Sequence, residues 1–279
     1  MDDLVISTYS RRAAEYDSDD NQHSCWGRAS RALWTQLAPR ASHRVIVDVG
    51  CGTGAALASL HARADASTRL IGVEPAEGLR ERARTLTRDL PRVDVRDGRF
   101  ERLPLADASV DYLYSLMAFH WVTDAPAAAR EIARVLRPDG DLDLFFIGRL
   151  NGREFVRATS PIFLRHMGAA GLLDAAKLRV QLTRDAAARL FQDAFPDRRV
   201  DVQETFETFY DSWERHQAWW VRIEAQMLGV LAERRDACMR EVETALRGLA
   251  TPDGIPYTLH LLHVRLRPDA TPAARERTP

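Results

Sequence analysis

From residue 44 the chain alternates short apolar runs with helical patterns. A β-branched run at 44–49 and apolar runs at 69–73, 92–95, 110–114 and 141–147 predict strands. Apolar positions at helical spacing over 54–63, 75–88 and 123–136 predict the helices between them. Pro138-Asp139-Gly140 predicts a turn between the last of these helices and the last strand. Strands alternating with helices predict a parallel sheet wound on both faces, with ligands outside the C-terminal strand ends where strand order reverses. Before this core, residues 4–38 read as helical, with Leu4, Tyr9, Ala13, Tyr16, Trp26, Leu33, Trp34 and Leu37 at irregular helical spacing, and Pro39 stops the run. After residue 147 the rhythm changes. Residues 150–192 read as helices and loops, 198–209 as a period-two strand, 212–229 and 233–249 as helices, and 257–266 as a final strand. The tail 267–279, rich in Pro, Ala, Arg and Thr, reads as disordered.

The candidate chemistry lies where the first strand meets the first helix of the core. Asp48 ends the strand, and Gly50, Cys51, Gly52 and Gly54 form the loop before the helix begins at Ala55. Strand, glycine loop and helix bring a ligand against bare backbone and a helix N-terminus. A second acid, Glu74, ends the next apolar run, where a carboxylate takes both hydroxyls of a ribose. The glycines alone fit two cofactors, because Gly50-x-Gly52-x-x-Ala55 also satisfies the loose dinucleotide pattern.

The fuller string Asp48-x-Gly50-x-Gly52-x-Gly54, with Glu74 beyond, resembles class I S-adenosylmethionine (SAM) methyltransferases. About forty residues precede it, whereas dinucleotide folds usually begin close to this strand. Three more segments match in order: Tyr9 to Asp17 resembles the N-terminal helix of the type 11 subgroup, Glu101 to Asp111 the loop beside the adenine, and Arg134 to Gly140 the helix end before the fifth strand. Phe119-His120-Trp121, a helical cap and a late antiparallel pair are loosely similar to the subgroup containing malonyl-acyl-carrier-protein O-methyltransferase.

The resemblance implies a Rossmann-like, doubly wound α/β fold with a seven-stranded sheet and an inserted helical cap. It divides the chain into a helical lid (1–40), a SAM-binding core (41–149), a cap with the last strands (150–266) and a tail (267–279). It assigns the cofactor to Tyr16, Asp48, Gly50, Cys51, Gly52, Gly54, Glu74, Pro75, Arg99, Phe100, Glu101 and Leu116, and a candidate general base to His120. Asp48 would meet the amino group of SAM and Glu74 its ribose. One departure stands out: where the family usually has an acid for the adenine amino group, this chain has Arg99 and Phe100, leaving Asp97 from a shifted register or the backbone and stacking near Phe100.

Composition narrows the acceptor. The 279 residues are 46% hydrophobic and 28% charged with a formal net charge of −1, so no charge excess draws the chain to nucleic acid or an anionic membrane. The fourth-strand end, Tyr114 to Trp121, lacks the Asn/Asp-Pro-Pro-Tyr tetrad of enzymes that methylate amino groups of nucleobases or glutamine. Cys25, Cys51 and Cys238 show no CxxC pairing, which excludes a cysteine-built metal site and fits a reducing, cytoplasmic setting. Cys51 reads as loop packing. No signal peptide and no run of membrane-span length is seen. Arg149, Arg153, Arg157, Arg165, Arg215 and Arg222 are candidates to clamp an anionic acceptor. The aromatic stretch from Phe206 to Trp220 reads as the core of the cap, with an acceptor pocket as its alternative. The expected partner is a small-molecule or acyl-carrier-bound substrate, with no nucleic acid and no membrane, and a homodimer left open. Methyl transfer, other SAM chemistry such as cyclisation, and SAM binding without catalysis remain alternatives at this level.

Overall fold

The computed structural model describes residues 2–268, except the side chains of Asp2, Asp3, Val221, Arg222 and Gln226. Residues 269–279 of the expected disordered tail and the Arg222 side chain therefore lie outside the described residues.

Four short helices, α1 (Asp2–Arg11), α2 (Ala13–Tyr16), α3 (Asp19–His23) and α4 (Cys25–Trp34), precede β1 (Val45–Val49). The core continues through α5 (Ala55–His61), β2 (Arg69–Val73), α6 (Glu77–Thr87), β3 (Val93–Arg96), β4 (Val110–Leu116), a 3-10 turn (Phe119–Trp121), α7 (Ala125–Val135) and β5 (Leu136–Ile147). Then come α8 (Arg153–Lys177), α9 (Arg184–Ala194), β6 (Asp201–Asp211), α10 (Trp213–Ala218), a 3-10 turn (Trp219–Arg222), α11 (Glu224–Met227), α12 (Ala232–Arg247) and β7 (Ile255–Leu266).

The seven strands form one sheet in the order β3-β2-β1-β4-β5-β7-β6. The first five are mutually parallel, and β7 runs antiparallel to both β5 and β6. This is the Rossmann-like, seven-stranded sheet that the resemblance implied. Strand order reverses between β1 and β4, and a crevice opens there because the crossovers leave in opposite directions. Side chains alternate across the sheet. Ile46, Leu70, Tyr112 and Tyr114 pack with α4, α5 and the cap, while Val47, Ile71 and Leu113 pack with α7 and α9. Leu57 and Leu60 of α5 are fully buried on the first face, each contributing roughly 1.5–3 kcal/mol of burial.

Three expectations change. The N-terminal run is broken into pieces because Ser18 and Ser24 restart it: their hydroxyls accept from the N–H groups of Asn21 and Gly27. The segment 212–229 is likewise α10, a 3-10 turn and α11 instead of one helix. Pro138-Asp139-Gly140 lies within β5 as an irregularity, where the partner of β4 jumps from Leu136 to Asp141 between Val110 and Tyr112. A bulge tolerates the missing proline N–H that a regular ladder would not.

Candidate functional site

Outside the C-terminal ends of β1, β2 and β4, a cavity of about 270 Å³ is lined by the glycine loop, the β2 end, the β4 end, α1 and the end of α8. The loop is tied down first. The N–H groups of Gly50 and Cys51 both donate to the Val73 carbonyl, at 2.8 and 3.2 Å. Gly50 sits at φ 75, and a Cβ there would lie 2.3 Å from the Ala118 Cβ. Gly52 sits at φ 56, and a Cβ there would meet nothing closer than Tyr16 Cε1 at 4.0 Å. Gly50 is thus required by packing against the β4 end, whereas Gly52 leaves open the space beside the cavity it lines.

Two buried carboxylates stand behind this loop. The Glu74 oxygens accept from Gly52 N–H at 3.0 Å and from Ala76 N–H at 2.9 Å. Burial pushes the Glu74 pKa up to about 7 against those two bonds. Asp48, in register between Gly72 and Tyr114, is also buried, and its Oδ1 has no hydrogen-bond partner among the described residues. Burial pushes it up to about 8; the Tyr114 hydroxyl opposes this and the Glu74 charge adds to it. Cys51 packs its sulfur against Gly72, and burial raises its thiol well above the ordinary value, so it is a packing residue and not a thiolate.

The N-terminal helices close the cavity. Val5, Ile6, Tyr9 and Tyr16 line it. Tyr9 meets Tyr16 and Trp121 edge-on, with ring centroids 6.0 and 5.9 Å apart. This cover is clamped at its end: Arg11 and Arg12 each reach Glu224 at 2.9 Å, and Gly78 N–H donates to Ser10 Oγ at 2.8 Å. Met117, at the β4 end, holds an unusual φ of 61, with its N–H on the Phe145 carbonyl at 2.7 Å.

Residues 47–143, from within β1 to within β5, match the family described as a methyltransferase domain of type 11. Over that span the chain is similar to methyltransferase domains. Over 182 residues the chain is 40% identical to a malonyl-[acyl-carrier protein] O-methyltransferase of Methylovorus sp. strain MP688, covering 63% of this chain and 56% of the relative. It is 31% identical over 157 residues to a probable S-adenosylmethionine-dependent methyltransferase of Mycolicibacterium smegmatis, covering 55% and 58%. The chain thus spans somewhat over half the length of these relatives. In fold it is similar to the YcgJ protein of Bacillus subtilis, with a TM-score of 0.60 at 19% identity, covering 88% of this chain and 100% of that one.

The expected site residues divide. Gly50, Gly52, Glu74, Pro75, Arg99, Phe100, Glu101 and Leu116 line the cavity, and Tyr16 joins them from the N-terminal helices. Asp48, Cys51 and Gly54 do not line it: the first two lie beneath the loop, and Gly54, at φ 84, begins α5 against Ala83. Asp97 is a correction, since it is exposed, takes Arg80 at 3.2 Å and does not reach the cavity. Glu101 is engaged in positioning, with one oxygen accepting from Thr123 N–H at 2.7 Å. Phe100 is buried edge-on to Phe119, with centroids 5.2 Å apart. His120 is also buried and does not line the cavity; its ring lies 5.0 Å from that of Trp121, which does.

The cap holds the other corrections. Arg149, Arg153, Arg157, Arg165 and Arg215 are exposed, and none lines the cavity. Trp219 and Trp220 are core residues, while Phe206 and Tyr210 are exposed on β6. What the cap gives the cavity is Lys177 and Leu178, at the end of α8. Val5 and Ile6 also went unread, although Val5, Tyr9 and Ala13 recur every four residues. Nothing local marks Met117, Lys177 or Leu178. Among the described residues, no group of His, Cys, Asp and Glu is placed to hold a metal ion, and no helix is long and apolar enough to cross a membrane.

Proposed function

We propose that the chain is a SAM-dependent methyltransferase acting on a small organic or carrier-bound acyl substrate. One observation carries this: the cavity opens on the bare backbone of Gly52, with two buried carboxylates behind it and aromatic side chains over it. Asp48 Oδ1, buried without a partner among the described residues, suits the ammonium of the methionine end. Glu74 stands where ribose hydroxyls would be held, and Phe100 and Leu116 offer apolar contacts for the adenine. When bound, SAM supplies an electrophilic methyl group on a sulfonium.

The chain's own work is then alignment and exclusion of water. Tyr9, Tyr16 and Trp121 cover the cavity, and α1 closes it against α6 and α11. Sequence likeness to a relative named for O-methylation of malonyl-carrier protein supports a carrier-bound acyl acceptor. A carboxylate oxygen needs no base, which agrees with a buried His120. We assign His120 to positioning: it packs on Trp121, and its carbonyl accepts the Val180 N–H at 2.8 Å, fastening the cap beside the cavity. The buried thiols of Cys51 and Cys238 support a cytoplasmic setting. Calorimetry with S-adenosylhomocysteine, SAM and NAD tests the cofactor reading. Binding of the first two but not the third is expected; NAD binding, or none, refutes it. Transfer of labelled methyl to small carboxylates and acyl-carrier thioesters then tests the acceptor.

A further inference from the structure

The turn that carries Glu74 is held from behind the cavity by one side chain. Arg80, in the first turn of α6, sends its Nη1 back across that turn. There it donates to the main-chain carbonyls of Glu74 at 2.9 Å and Pro75 at 3.0 Å. The same Nη1 reaches the Asp97 carboxylate, just past β3, at 3.2 Å. The Arg80 side chain is 11% exposed and that of Asp97 72%, so the guanidinium lies inside the fold and its counter-ion outside. Glu74 and Pro75 line the cavity, whereas Arg80 does not.

Arg80 supplies two things that Glu74 needs. The first is path. The Glu74 carboxylate is aligned by the N–H groups of Gly52 and Ala76, and the Ala76 bond depends on the course of the main chain from Glu74 to Ala76. The two carbonyls bound to Arg80 lie on that course. The second is charge. Burial favours a protonated Glu74, while the two N–H donors and the Arg80 charge favour the ionised form. A ribose diol has two protons to donate. An ionised carboxylate is purely an acceptor, whereas a protonated one has a proton of its own to place. Asp48 and Cys51 on the β1 side and Asp97 beyond β3 also act on Glu74 or are acted on by it, and Tyr16, Arg99 and Glu101 line the same cavity.

We propose that Arg80 is a positioning residue for cofactor binding: it fixes the turn that presents the Glu74 carboxylate and sets a positive charge near it, readying Glu74 for a ribose diol. This rests on the methyltransferase reading and deepens it. Arg80 touches no ligand and works through Glu74. A cap that merely stabilised the turn would act alike at every pH. Arg80 acts through a carboxylate that titrates, so its effect on binding depends on pH.

The probe is 5′-methylthioadenosine, which keeps the adenine, the ribose diol and the sulfur but lacks the ammonium that Asp48 would meet. Calorimetry gives its Kd across the neutral pH range for the unmodified chain, Arg80→Met and Arg80→Lys. Affinity of the unmodified chain should rise with pH through about 7, as Glu74 ionises. Arg80→Met should move that rise to higher pH. A midpoint one pH unit higher makes binding about tenfold weaker below both midpoints, and the gap narrows above them. Arg80→Lys, which keeps the charge, should lie between the two. In a Glu74→Gln background Arg80→Met should leave the pH profile unchanged. A loss of equal size at every pH, no loss, or a pH shift that persists with Glu74→Gln overturns the proposal. If Arg80→Met does not fold, Arg80→Gln, which keeps a donor and loses the charge, is judged by the same outcomes. The Glu74 carboxyl is also titrated by ¹³C NMR without ligand, its resonance identified by its absence from Glu74→Gln. If the unmodified chain binds neither 5′-methylthioadenosine nor S-adenosylhomocysteine, the methyltransferase reading fails. The NMR midpoint then still judges Arg80: higher in the neutral variant upholds its action on Glu74, and unchanged refutes it.

Discussion

Replacing Gly52 by alanine separates binding from folding. A Cβ at Gly52 meets no protein atom nearer than 4.0 Å, so the methyl group enters the cavity and not a neighbour. The fold bears only the left-handed backbone, about 1–2 kcal/mol for an L-residue. For a chain of this size that lowers Tm by about 2–8 °C. S-adenosylhomocysteine at a hundredfold excess over Kd stabilises the native state by about 2.7 kcal/mol, which raises Tm of the unmodified chain by about 5–11 °C. Gly52→Ala should fold and show none of that rise, because its methyl occupies ligand space. Gly50→Ala is the matched contrast, since its Cβ would lie 2.3 Å from Ala118 Cβ. Overpacking adds about 1–3 kcal/mol to the same backbone cost, so its own Tm should fall further. Thermal denaturation of the three proteins, with and without ligand, is the assay. A full ligand-induced rise in Gly52→Ala, or a Gly50→Ala more stable than Gly52→Ala, would refute the reasoning.

Four other outcomes are expected. Asp48 and Glu74 have folded-state pKa values raised to about 8 and about 7, so between about pH 4 and 8 the native state holds protons that the unfolded chain has lost. Their contribution is full below the unfolded values and is lost as pH rises; relative to Asp48→Asn, the unmodified chain should lose at least about 1.4 kcal/mol between pH 5 and 8 in urea unfolding, one pKa unit's worth, and a pH-independent difference contradicts this. Glu74→Ala should weaken S-adenosylhomocysteine by roughly 1.5–3 kcal/mol in calorimetry, the range for a hydrogen bond to a charged group; unchanged affinity rules out a ribose role. Hydrogen exchange over residues 7–26 should slow when that ligand is added, and Glu224→Gln should speed it without ligand by releasing Arg11 and Arg12; equal protection with and without ligand argues against a closing cover. His120→Ala should lower kcat less than tenfold with SAM affinity intact, whereas a loss of about 10²–10⁴ would restore the general-base role.

The sequence by itself determined the sheet and the glycine-loop end of the cavity. Strands β1 and β2 and the loop between β1 and α5 are written locally: β-branched runs bury both faces of a parallel strand, and only glycine serves at Gly50, where the chain turns back against the β4 end. Glu74 was legible for the same reason, since an acid ending an apolar run has few structural uses. The cap side of the cavity was not legible. Of the arginines offered as anion clamps, Arg149, Arg153, Arg157, Arg165 and Arg215 are exposed, while Leu178 lines the cavity beside Val180, which hydrogen-bonds the His120 carbonyl just after α8. Only tertiary structure could decide that Asp97 turns outward to Arg80, that His120 is buried beside Trp121, and that Leu178 and Met117 line one cavity. The physical reason is range: propensity, periodicity and turn chemistry act over a few neighbouring residues, whereas burial, pairing and a shared cavity wall depend on segments that come together only when the sheet closes.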